Sequence, residues 1–130
     1  MDEYIVDTHA LIWYFSDSPR LGDRARSVFT RGDSGETILY IPSIALAELY
    51  YANVKNGSPI DFDEMYRTLN ESDQFLFVDF VESDVLEFGA DSKVTEMHDR
   101  MIVGVARRLK APLITIDKNI TQSGLVEIVW

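Results

Sequence analysis

The chain has 130 residues, 46% of them apolar and 26% charged, with no cysteine and a formal net charge of −10. That length fits one domain of ordinary size, spanning 1–130, and the apolar share is enough to build a core. The composition excludes a disulfide framework and a thiolate metal site, and the charge argues against broad, nonspecific nucleic-acid binding through a basic face.

No apolar run approaches the ~18 residues of a membrane span. Asp2 and Glu3 open the N-terminus, and Asp7 and His9 interrupt its apolar stretch, so it does not look like a secretory leader. A cytoplasmic protein with no membrane association is expected. The acidic surplus serves solubility, suits a basic protein partner, or marks a pocket that holds cations.

Tyr4-Ile5-Val6 is a β-favouring run that stops at Asp7. Residues 10–15 follow as a short, very apolar helix, then a turn at Ser16-Asp17-Ser18-Pro19. A second helix is expected over 22–31, with Ala25, Val28 and Phe29 on its inner face, and a second strand over 37–41. Pro42-Ser43 starts the next helix, with Ser43 as N-cap, and its body from Ile44 to Val54 carries one charged residue, Glu48. A polar amphipathic helix over 61–71 precedes a third strand over 75–78. A helix is expected over 82–91, and a strongly amphipathic one over 99–110, with Ile102, Val103, Ala106 and Leu109 facing in. Ala111-Pro112 ends it. Leu113-Ile114-Thr115-Ile116 is a fourth strand running into Asp117, residues 118–123 make one helical turn, and 126–129 form a last strand. Strands alternate with helices, so the expected fold is α/β, a parallel sheet with helices on both faces.

Four carboxylates occupy unusual places. Asp7 and Asp117 each follow a strand, and in an open parallel sheet the ligand crevice lies outside the carboxyl ends of the strands. Each could instead be a plain helix N-cap. Glu48 sits mid-helix among Ala45, Leu46, Ala47, Leu49, Tyr50 and Tyr51, where a charge needs a partner, either an arginine or a metal. Asp99 stands three residues before Ile102, at the start of the amphipathic helix, where it could also act as a cap. If all four met at ~5 Å, each pair would repel by about 3 kcal/mol at an effective dielectric of ~20. A domain stable by about 5–15 kcal/mol could not carry that unaided. Protonation or divalent cations would have to relieve it. An all-oxygen site favours Mg²⁺ or Mn²⁺, as one ion or two, and suits phosphodiester hydrolysis.

Four stretches, in order, resemble the PIN domain, and most closely the VapC-type toxins of toxin–antitoxin pairs. They are residues 5–13 (Ile-Val-Asp-Thr-His-Ala-Leu-Ile-Trp), 43–49 (Ser-Ile-Ala-Leu-Ala-Glu-Leu), 98–103 (His-Asp-Arg-Met-Ile-Val) and 111–117 (Ala-Pro-Leu-Ile-Thr-Ile-Asp). Each is weak alone; together, in order, they are specific. The resemblance implies a three-layer α/β/α fold with a central five-stranded parallel sheet and an acidic pocket. It implies a Mg²⁺/Mn²⁺-dependent endoribonuclease, commonly a homodimer, inhibited by a small antitoxin that inserts an arginine or lysine into the pocket. By motif position Asp7, Glu48, Asp99 and Asp117 take the metal-binding, catalytic places, and Thr8 and Thr115 the hydroxyl positions that hold carboxylates or water. His9, His98, Arg100 and Lys118 flank these positions as candidate substrate contacts. Arg20, Arg24 and Arg26 form one candidate RNA-facing group, and Arg100, Arg107, Arg108, Lys110 and Lys118 form another, though solvated helix faces account better for both. Trp13, Tyr14, Tyr50 and Tyr51 could stack bases, or could be core or dimer surface.

Three other readings compete. A phosphoacceptor receiver-like signalling domain is also a parallel α/β sheet with acidic strand ends, and Lys118 could mimic its lysine. It wants adjacent acids after the first strand, however, where Asp7 is followed by Thr8-His9, and it leaves Glu48 unexplained. A haloacid-dehalogenase-like phosphatase would need an aspartate where His9 stands. A non-catalytic regulatory binding module is the remaining alternative.

Overall fold

The computed structural model describes residues 1–130. In chain order the elements are β1 (Asp2–Val6), α1 (Thr8–Phe15), α2 (Asp23–Asp33), β2 (Thr37–Pro42), α3 (Ser43–Lys55), α4 (Phe62–Glu71), β3 (Phe75–Val78), α5 (Glu82–Val85), α6 (Met97–Leu109), β4 (Leu113–Ile114), α7 (Lys118–Ser123) and β5 (Ile128–Val129). The five strands form one sheet in the order β3-β2-β1-β4-β5, and every pairing is parallel. No helix is long and apolar enough to cross a membrane.

The period-2 alternation of the strands builds two cores, one on each face. In β1, Ile5 packs on one face and Val6 on the other; in β4, Leu113 and Ile114 divide the same way. The first core joins Leu11, Ala25, Phe29, Met65 and Leu69 from α1, α2 and α4 to the sheet. The second joins Ile102, Val103, Val105 and Ala106 of α6 and Ile120 of α7. Helix α3 belongs to both, with Leu49 in the first and Ala45 in the second. The result is the expected three-layer α/β/α fold. Each fully buried Leu, Ile or Phe contributes about 1.5–3 kcal/mol.

The strand order decides where a ligand can bind. The chain steps outward from β1 to β2 to β3, then crosses back to place β4 on the far side of β1. The sheet therefore has its switch point between β1 and β4, and the crevice opens at their carboxyl ends. A receiver-like domain would instead have the order 2-1-3-4-5, so this topology rules that reading out.

Several boundaries differ from the sequence expectation. Pro42, not Ser43, occupies the N-cap of α3; the Ser43 hydroxyl donates instead to Asp79 at 2.5 Å. Asp61 lies outside α4 as its cap, accepting from the Glu64 N–H at 3.1 Å. The helix expected over 82–91 is a single turn, α5, followed by successive i→i−3 bonds such as Ala90 N–H to Glu87 and Asp91 N–H to Phe88. Two of its acids, Asp84 and Asp91, are buried and bonded to Arg108 and Arg107 of α6, which ties this irregular path to the helix below it. The strand expected over 113–116 stops at Ile114, because its neighbour β1 ends at Val6 in the same register. Residues 115–116 thus run on into the crevice.

Candidate active site

Asp7 leaves β1 as the N-cap of α1, and Asp117 leaves the end of the β4 segment as the N-cap of α7, accepting from the Ile120 N–H at 2.8 Å. Both sequence ideas about these residues therefore hold together: each caps a helix, and each stands on the crevice rim. Glu48 projects from α3. Asp99 lies in the first turn of α6 but does not cap it. Glu96 does, accepting the Asp99 N–H at 2.7 Å, because α6 starts at Met97, two residues earlier than the sequence pattern suggests.

Asp7, Glu48, Asp99 and Asp117 line one open cavity of about 310 Å³, together with Thr8, His9, Ile12, Ala52 and Glu96. Sequence reasoning missed Glu96, the fifth carboxylate. The available signal was a glutamate three residues ahead of Asp99, the usual spacing between a cap and the N–H it accepts from.

Two threonines hold the acids in place. Buried Thr115 donates its hydroxyl to Asp7 Oδ2 at 2.5 Å and accepts the Asp117 N–H at 3.1 Å, so it couples the two rim aspartates. The Thr8 N–H donates to Asp7 Oδ1 at 2.7 Å, and the Thr8 hydroxyl donates to Glu48 Oε1 at 2.9 Å. The remaining lone pairs of these carboxylates face the cavity side, with no lysine or arginine bonded to any of the four.

The electrostatics follow from burial first and from the crowding of like charges second. Burial pushes the Asp7 carboxyl up, against the hydrogen bonds from Thr115 and Thr8 that favour its charge. Burial also raises Glu48, against the Thr8 hydroxyl. Asp99 is displaced furthest, to about 7, first by burial and then by the charges of Asp117, Asp7, Glu96 and Glu48. Burial would raise Glu96 as well, but bonds from the Asp99 N–H and from His98 outweigh it and hold this carboxyl low. His98 is raised in turn by that same bond, with Nδ1 2.8 Å from Glu96 Oε1.

Hard oxygen donors without competing cations fit a Mg²⁺- or Mn²⁺-sized ion in chemistry. The side chains do not, as they stand, close into a coordination sphere: no three acidic or imidazole groups are drawn together closely enough to hold an ion between them. The cavity is an acidic cup.

The flanking candidates divide. His9 lines the cup and is exposed. His98 is fastened to Glu96 just outside it, and Lys118 is exposed directly after Asp117. Arg100 faces elsewhere. Its Nε donates to the Val94 carbonyl at 2.6 Å, its guanidinium reaches the Phe88 carbonyl, and it lies over the Phe88 ring, so it pins the 86–96 segment to α6. Of the aromatic candidates, Tyr50 and Tyr51 are exposed, while Trp13 and Tyr14 are half-buried on the first core.

Solved structures share this architecture. VapC20 from Mycobacterium tuberculosis, a sarcin-ricin loop cleaving toxin, is similar with a TM-score of 0.72 at 10% identity, over 98% of this chain and 99% of that one. VapBC from Salmonella typhimurium, in a DNA-bound structure, is similar with a TM-score of 0.68 at 18% identity, over 98% and 97%. VapBC2 from Rickettsia felis, bound to a DNA fragment from its promoter, gives 0.67 at 17%, over 97% and 96%. At these identities the likeness is one of fold. A comparison with curated protein sequences found no match. The PIN domain family model matches residues 4–124, nearly the whole chain. With a parallel sheet whose switch point carries an acidic cup, and that match across it, the chain belongs to the PIN domain family.

Proposed function

We propose that the protein is a Mg²⁺- or Mn²⁺-dependent endoribonuclease, the toxin of a toxin–antitoxin pair. The observation that carries this reading is the lining of one cavity by Asp7, Glu48, Asp99 and Asp117, with Asp99 raised to about 7 by burial and by the charges around it. Those four residues would hold the ion. When bound, Mg²⁺ or Mn²⁺ supplies an acidified water and positive charge opposite the leaving oxygen. The chain's own groups prepare the site. Thr115 fixes the rotamer of Asp7 and ties it to the Asp117 backbone, and Thr8 aims Glu48 into the cup. Glu96 fixes the first turn of α6 and hence Asp99. The similar VapBC structures support an antitoxin as partner; the family resemblance adds an arginine or lysine of that partner reaching the cup in place of the cation. The negative cup gives such a side chain its counter-charge.

The test is cleavage of RNA in Mg²⁺ or Mn²⁺ by the wild type and by the Asp7→Ala and Asp99→Asn variants. Loss of a liganding carboxylate should lower the rate by about a hundredfold or more. Equal cleavage by all three would identify a contaminant and end the proposal.

A further inference from the structure

An aromatic strip starts at the edge of the acidic cup and runs away from it. His9 and Trp13, four residues apart on α1, share one face of that helix. Their ring centroids are 5.5 Å apart at 50°. Trp130 meets Trp13 edge-on at 5.7 Å, and the Arg20 guanidinium lies 5.9 Å over the Trp13 ring. The strip is firmly backed. The Trp130 carbonyl accepts the Arg24 N–H at 3.0 Å, and its ring lies so close to Gly22 that a Cβ there would stand 2.7 Å from it.

Two features set the strip apart from ordinary core. First, it is not closed over: His9 and Arg20 are exposed, and Trp13 and Trp130 are only half-buried, with their inner sides on the first core. Second, its charge is opposite to that of the molecule. Arg20 and Arg24 pair with no carboxylate, although the chain carries 22 acidic residues. Arg26, by contrast, is taken up by Asp17 and the Ser18 carbonyl. Partly open rings beside unpaired guanidinium groups offer stacking surface and phosphate contacts together, the combination that holds unpaired nucleic-acid strands. A duplex keeps its bases stacked on each other and could not use the rings.

We propose that the strip His9–Trp13–Arg20, braced by Trp130, seats an unpaired nucleotide next to the phosphate that a bound cation would draw to the acidic cup, with its base against the rings and its phosphate on Arg20. This rests on the nuclease reading and deepens it: selection of the base that flanks the cleaved phosphate happens on α1. His9 joins the two regions, since it lines the cup and touches Trp13.

Both tryptophans of the chain lie in the strip, so all of the indole emission reports on it. The probe is a short, uncleavable 2′-O-methyl oligoribonucleotide, titrated in Mg²⁺ while emission and the anisotropy of a labelled strand are recorded. Binding should quench the emission, and the same strand annealed to its complement should not. Trp13→Leu should weaken binding by roughly ten- to a hundredfold, and Trp13→Phe should restore most of it. Arg20→Ala, at an exposed position, should weaken binding several-fold while melting like the wild type. Binding without quenching, no binding, or wild-type affinity in both Trp13→Leu and Arg20→Ala would overturn the proposal. The two readings fail separately. Metal-dependent cleavage that is lost in Asp99→Asn, with KM unchanged in the strip variants, removes the strip alone. Quenching by a protein that cleaves nothing removes the nuclease and keeps the strip.

Discussion

Replacing Asp99 by asparagine should stabilise the metal-free protein at neutral and alkaline pH. Asp99 is half-buried, faces Asp117, Asp7, Glu96 and Glu48, and has its carboxyl raised from 3.8 to about 7 by burial and those charges. A folded-state value above the unfolded one means that the unfolded chain releases the proton first. Stability therefore falls as pH rises from about 4 to about 7, and the loss is complete above 7. The full shift would correspond to roughly 4 kcal/mol; with water reaching and screening the carboxyl, about 1–2 kcal/mol is the reasonable share. For a chain of this size that is about 3–8 °C in melting temperature. Thermal melts in chelator at pH 8 should place Asp99→Asn above the wild type by that margin, shrinking towards pH 5 and vanishing near pH 4. Millimolar Mg²⁺ or Mn²⁺ at pH 8 should raise the wild type and leave the variant nearly unmoved, because the cation stabilises only the state that binds it. A variant that melts at or below the wild type at pH 8, or a wild type indifferent to both ions, would refute the crowding argument.

Two further substitutions probe what frames the cup. Thr115→Val leaves the buried Asp7 carboxylate without its strongest donor and should cost about 1–3 kcal/mol, more at pH 8 than at pH 5 because that bond favours the ionised form, with Thr115→Ser restoring most of it in denaturant titrations. Arg107→Ala strands Asp91, which is 0% exposed and bonded by both guanidinium nitrogens, and should cost about 3–5 kcal/mol; the double variant Arg107→Met, Asp91→Leu should recover much of it. A loss below about 1 kcal/mol for Arg107→Ala would show that the 86–96 segment does not depend on the pair.

Much of the cup was legible in the chain because its parts break local rules. Asp7 and Asp117 end β-favouring runs, and Glu48 interrupts an otherwise apolar helix. Such violations survive where a function requires them. Glu96 is hidden because the apolar pattern starts the helix at Asp99, whereas the helix starts at Met97, and a cap is recognised only when the start is known. The irregular path over 86–94 was hidden for a different reason. Asp84 and Asp91 read as the polar face of a helix; their partners, Arg108 and Arg107, are 24 and 16 residues away, and no periodicity encodes that distance. The aromatic strip was ambiguous in the same way. Spacing places His9 and Trp13 on one face but does not say whether the outer side of that face is covered.

The Thr115 hydroxyl touches Asp7 at a separation of 108 residues, across the central seam of the sheet, and holds the backbone of Asp117 as well. Neither end of the polypeptide can bring the two rim aspartates together without the other, and separating them means parting β1 from β4. Heat inactivation should therefore track global melting, with no milder step in which the scaffold survives and the chemistry is gone. A protease that nicks the exposed 56–59 turn, which contributes no strand to that seam, should leave Asp7 and Asp117 facing one another.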